Sequence, residues 1–307
     1  MVNAIQALPE PCVFGFALRS AIALKFLRYG GGREPLEIVE VPRSDDPLPG
    51  EVMGVWPLQG TSYPAQARLC RVPGGYTFET TDTGRFVIDV ERGRVEIPVM
   101  DDVILREQRL HGIPMILSFQ ARGDISLHAA AVEIGDGAVI LAAPSRYGKT
   151  TLAFAFQRAG HRVLSEDMIC CRAASGEAIP GPALLRLRPD VIPETLPDGL
   201  FVADQRPDRM FIGFEPGRAG SGAPVPVRAI VFLREGEKVA AEPADPVTVV
   251  KDLWSLSSRL GSDEGRADSF RQVTKLAGSV PAWNVTRPLT LEALAATVDM
   301  VQVVASR

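Results

Sequence analysis

The sequence predicts an α/β fold for residues 121–307, preceded by a mostly β region, with some helix, over residues 1–120. Two observations lead to this division. In the first region, short runs of β-forming residues are separated by breaks rich in glycine and proline. In the second, a fully apolar run at 138–143, typical of a buried central strand, is followed by a helical stretch at 149–159 that ends at glycine. We therefore expect two domains with different architectures.

The N-terminal region is expected to be an accessory domain. Residues 76–80 and 85–90 alternate or cluster β-formers, as strands do. Residues 99–121 carry apolar positions at helical spacing and predict a helix that breaks near Pro114. No charged group in this region has the arrangement of a catalytic site, and peptide recognition is one role that such a domain could have.

The second region alternates strands and helices. Its further predicted strands are 126–134, 161–164, 183–188 and 227–233, and its further helices are 247–259 and 289–304. Residues 203–224 are rich in Gly, Pro and Arg and predict a mobile loop. This alternation is the pattern of an α/β sheet with helices on its faces.

Composition excludes several classes of protein. With 46% hydrophobic and 23% charged residues, a chain of 307 residues can bury a core without disulfides or metals. A net charge of -4 gives no support to a nucleic-acid partner. The apolar stretch 129–143 contains Glu133 and Asp136 and so is not expected to span a membrane.

The cysteines and the N-terminus favour a cytoplasmic protein. The four cysteines show no CxxC pair, and they predict neither a disulfide framework nor a zinc site: Cys12, Cys70, Cys170 and Cys171. Reduced thiols fit the cytosol. The first residues lack the charged and apolar segments of a signal peptide.

The segment APSRYGKT, from Ala143 to Thr150, matches the phosphate-binding P-loop except at its first position, where alanine replaces glycine. An apolar strand delivers this segment to a helix N-terminus, so backbone N–H groups and the helix dipole face an anion. Gly148 allows the backbone to approach phosphates, Lys149 reaches the β- and γ-phosphates, and Thr150 offers a hydroxyl to Mg²⁺. The residues expected to contact ATP are Ser145, Arg146, Tyr147, Gly148, Lys149, Thr150 and Thr151.

Departures from the motif leave alternatives open. Ala143 adopts positive φ less readily than glycine, and Pro144 has no N–H to donate. Arg146 is either a phosphate contact that compensates or a solvated loop residue. Tyr147 either packs on the base or shields the loop. An ordinary strand–turn–helix with an incidental Gly-Lys pair is the alternative for the whole segment.

Two carboxylates follow the next predicted strand. If that strand runs parallel to the P-loop strand, Glu166 and Asp167 emerge at the same edge of the sheet as Lys149. One carboxylate could then hold Mg²⁺ and the other accept the proton of an attacking hydroxyl. The alternative is a capping pair on the surface. His128, on the preceding strand, is by itself more typical of a core residue.

Residues 126–172 resemble the HPr kinase/phosphorylase family of P-loop kinases. His128 precedes the P-loop strand, Ser145 lies in the loop, a Gly-His pair stands at 160–161, and a strand then ends in two acidic residues. A looser resemblance covers most of the C-terminal part. Residues 1–120 do not resemble the N-terminal domain of HPr kinases, and the C-terminal signature for dephosphorylation is not found.

The resemblance implies roles for these residues. Lys149 would hold phosphates, Thr150 and Asp167 would lie at the metal, Glu166 would be the general base, and His128 would lie beside the phosphates. Glu166 stands where the family has Asp, so the choice of base between the two carboxylates stays open. The implied cofactors are ATP and Mg²⁺, and self-association is a further expectation.

The resemblance is to the branch of lasso peptide precursor kinases, which implies transfer of phosphate to a serine-type hydroxyl, typically on the C-terminal residue of a peptide. Phosphorylation of HPr or a small metabolite is one alternative, and a non-catalytic nucleotide-binding regulatory protein is another. In the predicted loop, Arg206, Arg209 or Arg218 either closes over ATP or a peptide carboxylate, or is solvated. Arg186 and Arg188 are weaker candidates of the same kind.

Overall fold

The computed structural model describes residues 9–44, 46–58, 64–259 and 263–307. It shows a mixed α/β chain whose strands form three sheets. The first sheet belongs to the N-terminal region, the second carries the P-loop-like segment, and the third is a small sheet packed nearby.

The N-terminal sheet has nine strands in the order β3-β1-β2-β4-β9-β8-β7-β6-β5. The strands are β1 Pro11–Val13, β2 Phe16–Ser20, β3 Arg28–Tyr29, β4 Glu34–Val41, β5 Glu51–Pro57, β6 Gln66–Val72, β7 Gly75–Thr80, β8 Gly84–Asp89 and β9 Arg94–Pro98. β7 and β8 confirm the strands predicted at 76–80 and 85–90. Strands β5 to β9 form an antiparallel meander, whereas β2, β4 and β9 pair in parallel.

Two short helices follow this sheet, α1 Val103–Leu110 and α2 Ile113–Ala121. The helical prediction for 99–121 is confirmed, and the break predicted near Pro114 lies two residues before it, at Gly112. Pro114 stands in the first turn of α2, where the missing N–H has no helical partner to lose. α1 is capped by Asp102, whose carboxylate accepts a hydrogen bond from the backbone N–H of Leu105 at 2.8 Å.

The second sheet has ten strands, eight of them in the order β13-β11-β12-β19-β15-β14-β10-β21, with β22 pairing β19 and β20. The elements of this part are β10 Ile125–Leu127, β11 Ala129–Ile134, β12 Gly137–Ala142, α3 Lys149–Arg158, β13 Arg162–Ser165, β14 Ile169–Arg172, β15 Glu177–Ile179, β19 Val225–Glu235, β20 Ala240–Pro243, α4 Pro246–Leu256, β21 Ser257–Ser258, α5 Asp263–Ser279, β22 Ala282–Arg287 and α6 Leu294–Ala305.

Strand β12 is buried on both faces, which explains its continuous apolar sequence. Leu141 faces a core formed with Phe154 of α3 and with α6. Ile140 faces the opposite core, which includes Leu253 of α4 and residues of α5. Each fully buried aliphatic side chain of this kind stabilises the fold by about 1.5–3 kcal/mol.

The strand predicted over 126–134 is interrupted in the structure. β10 ends before His128 and β11 begins after it, and the two strands pair with different partners. The backbone N–H of His128 donates to the carbonyl of Leu256 at 2.8 Å instead of continuing either ladder. The chain therefore changes its strand partners at His128, a candidate site residue from the sequence.

The mobile loop predicted over 203–224 is in part an ordered hairpin. β17 Leu200–Gln205 pairs with β18 Met210–Phe214, and β18 pairs in turn with β16 Leu184–Leu187 in the third sheet. A 3₁₀ turn, Pro189–Val191, follows β16. The aromatic and aliphatic residues of Met210–Phe214 form a strand, although the segment around them is rich in glycine and proline. Helix α5 carries no prediction from the sequence, and helices α4 and α6 begin and end within a few residues of 247–259 and 289–304.

A buried arginine joins the N-terminal sheet to the second part of the chain. Arg28 of β3 is 1% exposed, and its guanidinium donates to the carbonyls of Val163 at 2.7 Å, Leu164 at 3.1 Å, Gly181 at 2.8 Å and Ala219. Burial, with a contribution from Arg162, lowers the pKa of Arg28 to about 9. The charge is therefore held by backbone dipoles.

Two further expectations concern the cysteines and membrane spans. The four cysteine side chains are free and buried. Among the helices in the described ranges, none is both long enough and apolar enough to cross a bilayer.

Candidate active site

The P-loop-like segment lies between β12 and α3, as the motif requires. Gly148 has φ of 71° and Arg146 has φ of 69°, so the turn uses the left-handed region twice. Ala143 is not among the positive-φ residues, so its methyl group imposes no strain at the first motif position. The strain falls instead on Arg146, a non-glycine residue held in a conformation typical of functional turns.

The N-terminus of α3 is open to an anion. Its N-cap residue is Gly148, which supplies no side-chain hydrogen bond, and the first turn carries no acidic residue. The first backbone N–H groups of a helix have no partners within it, and the helix dipole adds a partial positive charge there. Ser145 and Arg146 lie exposed on the turn, whereas Tyr147 is half-buried and packs against the core shared by β12 and α3.

Lys149 lies folded across this turn. The residue is 6% exposed, and its Nζ donates to the carbonyls of Ala143 at 2.8 Å and Pro144 at 3.1 Å. Burial lowers the pKa of Lys149, and the nearby Asp167 and Glu166 oppose that shift. The ammonium group is thus placed at the start of the turn, beside the helix N-terminus.

The two carboxylates reach this turn as predicted. β13 and β12 are both antiparallel to β11, which lies between them, so β13 and β12 run in the same direction. The end of β13 therefore lies at the same edge as the turn, about 10 Å away by two strand spacings. Thr150 Oγ1 donates to Glu166 Oε2 at 2.7 Å, which joins the helix to the acidic pair directly.

Arg186 bridges the two carboxylates. Its Nε lies 2.5 Å from Glu166 Oε1, and its Nη2 lies 2.6 Å from Asp167 Oδ2. Although burial disfavours the guanidinium, the two carboxylates raise its pKa. His128 Nδ1 lies 3.6 Å from Asp167 Oδ1, and burial lowers the pKa of this imidazole despite Asp167.

The two carboxylates have different environments. The side chain of Glu166 is 7% exposed, and burial raises its pKa even though Arg186 opposes the shift. The side chain of Asp167 is 41% exposed. Burial works against ionisation there too, but Arg186, with His128 and Lys149, lowers the pKa of Asp167 below its usual value. Asp167 is therefore the more accessible carboxylate of the pair, and its pKa is shifted in the opposite direction from that of Glu166.

Two arginines at this site carry little or no signal in the local sequence. Arg186 lies in the apolar strand β16. A charged residue in such a strand indicates a buried partner, and this is the one sequence signal for its position. Arg287 ends β22, is 2% exposed, and donates from Nη2 to the carbonyl of Tyr147 at 2.7 Å. Burial lowers its pKa, and its Nε has no hydrogen-bond partner in the described part of the chain.

The other candidate arginines have contacts elsewhere. Arg206 lies 3.0 Å from Asp102 Oδ2 and 2.8 Å from Asp204 Oδ2. Arg188 pairs with Asp190 at the surface. The side chain of Arg218 packs against Gly199. The structure brings Arg186, and none of these three, to the carboxylate pair.

Two cavities adjoin the site. One, of about 240 Å³, is lined by Asp167, Glu166, His128 and Arg186 and by residues of α1 and α2. The other, of about 440 Å³, opens between α3 and α6 and begins at Thr151. The first cavity thus lies at the carboxylates and the second at the residue after Thr150.

The donor set at Thr150 suits a small divalent cation. Thr150 Oγ1 and Glu166 Oε2 are 2.7 Å apart, close to the ~2.9 Å between neighbouring oxygens around Mg²⁺ at its usual bond length. Among the described residues, no group of three or more His, Cys, Asp or Glu side chains could hold a metal. One or two protein oxygens are what Mg²⁺ uses when phosphates and water complete its shell.

Comparison with known proteins shows likeness to solved structures only. No protein-family model and no curated protein matches the chain. A solved structure, the HPr(Ser) kinase/phosphatase from Coxiella burnetii, is similar at 12% identity and a TM-score of 0.29, over 59% of this chain and 94% of that one. At this TM-score the likeness carries no weight for function.

Proposed function

We propose that this chain is an ATP-dependent phosphotransferase that phosphorylates a serine-type hydroxyl on a peptide or protein. The observation that carries the proposal is the 2.7 Å hydrogen bond between Thr150 and Glu166. It joins a P-loop-like turn and helix N-terminus to a carboxylate pair within one small site. Phosphoryl transfer needs these two parts together, one to hold the phosphates and one to handle the acceptor.

The phosphate end is formed by α3 and the turn before it. Backbone N–H groups of the turn and helix bind phosphate oxygens, and Lys149 moves from the carbonyls of Ala143 and Pro144 to the β- and γ-phosphates. Arg287 adds a buried positive charge next to Gly148. The cavity that begins at Thr151 is the place we assign to the nucleoside.

Mg²⁺ fits at Thr150 and Glu166, where, when bound, it neutralises charge on the β- and γ-phosphates. This assignment differs from the resemblance, which implied Thr150 and Asp167 at the metal and Glu166 as base. The structure favours Asp167 as the base, because it is the more exposed carboxylate and lies beside the first cavity.

In the proposed step, the acceptor oxygen attacks the γ-phosphorus in line and forms the new O–P bond. The bond from the γ-phosphorus to the β-phosphate oxygen breaks, and ADP leaves with that electron pair. Asp167 takes the proton of the hydroxyl, while Arg186 holds Asp167 and Glu166 in place at 2.6 and 2.5 Å. Positioning and charge neutralisation supply most of the rate.

The acceptor that we propose first is a lasso peptide precursor, on the resemblance of residues 126–172 to that branch of kinases. HPr and small metabolites are the alternative acceptors. A nucleotide-binding protein without transfer activity is the alternative from another class. The ordered pair of Asp167 and Arg186 favours transfer, since a binding module has no need of a carboxylate beside an open cavity.

Intact mass spectrometry of acceptors incubated with the protein and Mg-ATP tests this proposal. The panel holds a lasso-type precursor peptide and HPr, and calorimetry measures nucleotide binding separately. We expect one added phosphate on the peptide, with the rate lowered at least ~100-fold in Lys149→Ala and in Asp167→Asn.

Exposed residues supply the matched controls, Lys251→Ala and Asp208→Asn, which should leave the rate unchanged. Nucleotide binding without phosphate on any acceptor would replace the proposal by the non-catalytic alternative. Full activity of Lys149→Ala would overturn the assignment of the phosphate end.

A further inference from the structure

The first cavity is formed jointly by the two parts of the chain. On one side lie Asp167 and Arg186, and on the other lie Phe14, from the turn between β1 and β2, and Ile113 of α2. Its volume of about 240 Å³ is below the range of pockets that enclose a whole drug-sized molecule. It therefore suits one or two residues of a longer molecule whose remainder stays outside.

Charge restricts what can enter. The charge of Arg186 is already offset by both carboxylates, so it attracts an anionic acceptor only weakly. Asp167 repels a further negative charge. His111 lines the cavity at 6% exposure, and burial, with the charge of Arg186, lowers its pKa to about 3, so this wall is neutral. An uncharged group matches this combination best.

The wall contributed by the N-terminal region is mostly apolar. Phe14, Ile113 and Ile116 line it, and Leu184 continues the apolar surface on the other side. A sugar would bring several hydroxyl groups against this surface without hydrogen-bond partners. A hydroxyl-bearing residue with an apolar neighbour instead places one polar group at Asp167 and buries the rest.

One free polar group marks how a peptide backbone could be held. Gln108 of α1 lines the cavity, is half-buried, and makes no side-chain hydrogen bond in the described part of the chain. Its amide offers two donors and an acceptor, the pattern that pairs with the N–H and C=O of a peptide. Gln108 is well placed for a contact with substrate that the fold itself does not use.

We infer that this cavity is the acceptor site, and that it takes an uncharged peptide segment in which a serine or threonine is followed or preceded by an apolar residue. This differs from the C-terminal residue implied by the resemblance, because that residue carries a carboxylate. The hydroxyl lies at Asp167, the apolar side chain lies against Ile113 and Phe14, and Gln108 binds the backbone. The inference rests on the proposed function for the transfer step, which balances as given above. It adds that the N-terminal region selects the acceptor.

The test uses short blocked peptides that contain one serine, flanked by Leu, Asp or Lys, together with free serine and glycerol. We expect kcat/KM at saturating Mg-ATP to be at least ~10-fold higher for the Leu peptide than for the charged ones. Ile113→Trp fills the cavity from a half-buried position, and Gln108→Ala removes the amide. Each should raise KM about tenfold or more, with the Kd of Mg-ATP unchanged.

Matched controls are Val303→Trp, at another β-branched aliphatic residue, and Gln205→Ala, at another glutamine; both positions are exposed, and both variants should leave KM unchanged. Fluorescence anisotropy with labelled peptide and Lys149→Ala protein measures peptide binding without transfer. One outcome would support this site while overturning the proposed function. In it, the peptide binds to Lys149→Ala protein, loses that binding when Ile113→Trp is added, and is never phosphorylated by the unmodified protein.

Two results would overturn the inference itself while leaving the proposed function intact. One is transfer to the peptides with KM unaltered in both Ile113→Trp and Gln108→Ala. The other is a preference for a charged peptide, or for free serine or glycerol over every peptide.

Discussion

Two arginines, Arg28 and Arg287, are buried to the same degree but are bonded differently. They are 1% and 2% exposed, and neither makes an ion pair within the described ranges. Arg28 donates to four backbone carbonyls that belong to the other part of the chain. Arg287 donates to the carbonyls of Tyr147 and Pro288, at 2.7 and 3.3 Å, and its Nε is left without a partner.

The difference separates a structural charge from one available to a ligand. A guanidinium has five N–H groups, and a buried one stabilises a fold only when backbone or side-chain acceptors satisfy them. Arg28 has an acceptor at each of its three nitrogens, through four hydrogen bonds in all. Arg287 Nε has none in the described part of the chain, and Arg287 lies against the turn proposed to bind phosphate, where a bound phosphate would complete its hydrogen bonding.

The largest effect is expected from Arg28→Met. The substitution leaves four buried carbonyls without their donor and should lower the free energy of unfolding by about 3 kcal/mol or more. Urea denaturation measures the change. Arg19→Met, at an exposed position in β2, is the matched control. A loss below about 1 kcal/mol would contradict a structural role for Arg28.

Arg287→Met should act mainly on nucleotide. We expect the Kd of Mg-ATP to rise about 10- to 100-fold, equivalent to about 1.4–2.7 kcal/mol, because a charge-assisted contact to phosphate is lost. Stability without nucleotide should change little, since few satisfied hydrogen bonds disappear. Isothermal titration calorimetry and urea denaturation measure the two quantities. A large loss of stability with unchanged affinity for Mg-ATP would show that Arg287, like Arg28, has a structural role.

The smallest effect is expected from Gly148→Ala compared with Gly160→Ala. Both glycines have positive φ, 71° and 89°, so each substitution should cost about 1–2 kcal/mol of stability through backbone strain. A Cβ at Gly148 would in addition lie 2.7 Å from Nη2 of Arg287. A Cβ at Gly160 would have no described atom within 4 Å apart from those of its own chain neighbours and helix.

Only Gly148→Ala should therefore weaken nucleotide binding, and thermal denaturation with and without Mg-ATP separates the two contributions. In the Arg287→Met background the extra cost at Gly148 should fall, because its cause has been removed. Equal behaviour of the two glycine variants would show that the arginine does not constrain the turn.

The sequence predicted the features that are local. The P-loop-like segment is contiguous, so strand, turn and helix follow from residues 138–159, and the carboxylates follow from one further strand. Features formed by distant segments were missed. Arg287 reaches Tyr147 across 140 positions, and Gln108 lies on an element predicted to be accessory. Local pattern carries no record of such contacts.

Two wrong predictions have a local cause. Apolar periodicity continues through His128, so the pattern gave one strand where the pairing changes. Glycine and proline between residues 203 and 224 suggested a loop, although Met210–Phe214 forms the central strand of a sheet, between its hairpin partner β17 and the earlier strand β16. In both places tertiary pairing outweighed local preference.

Because both parts of the chain line the first cavity, the proposed phosphate contacts and the proposed acceptor contacts come from different segments. The groups proposed to hold phosphate come from residues 143–151 and 287, whereas Ile113 and Gln108 come from helices that follow the N-terminal sheet. Changes along those helices can therefore alter which acceptor enters while the chemistry at the phosphates is left untouched. Arg28 links the N-terminal sheet to the second part of the chain through four carbonyls, and it would therefore hold the proposed acceptor surface in a fixed position relative to the proposed phosphate end.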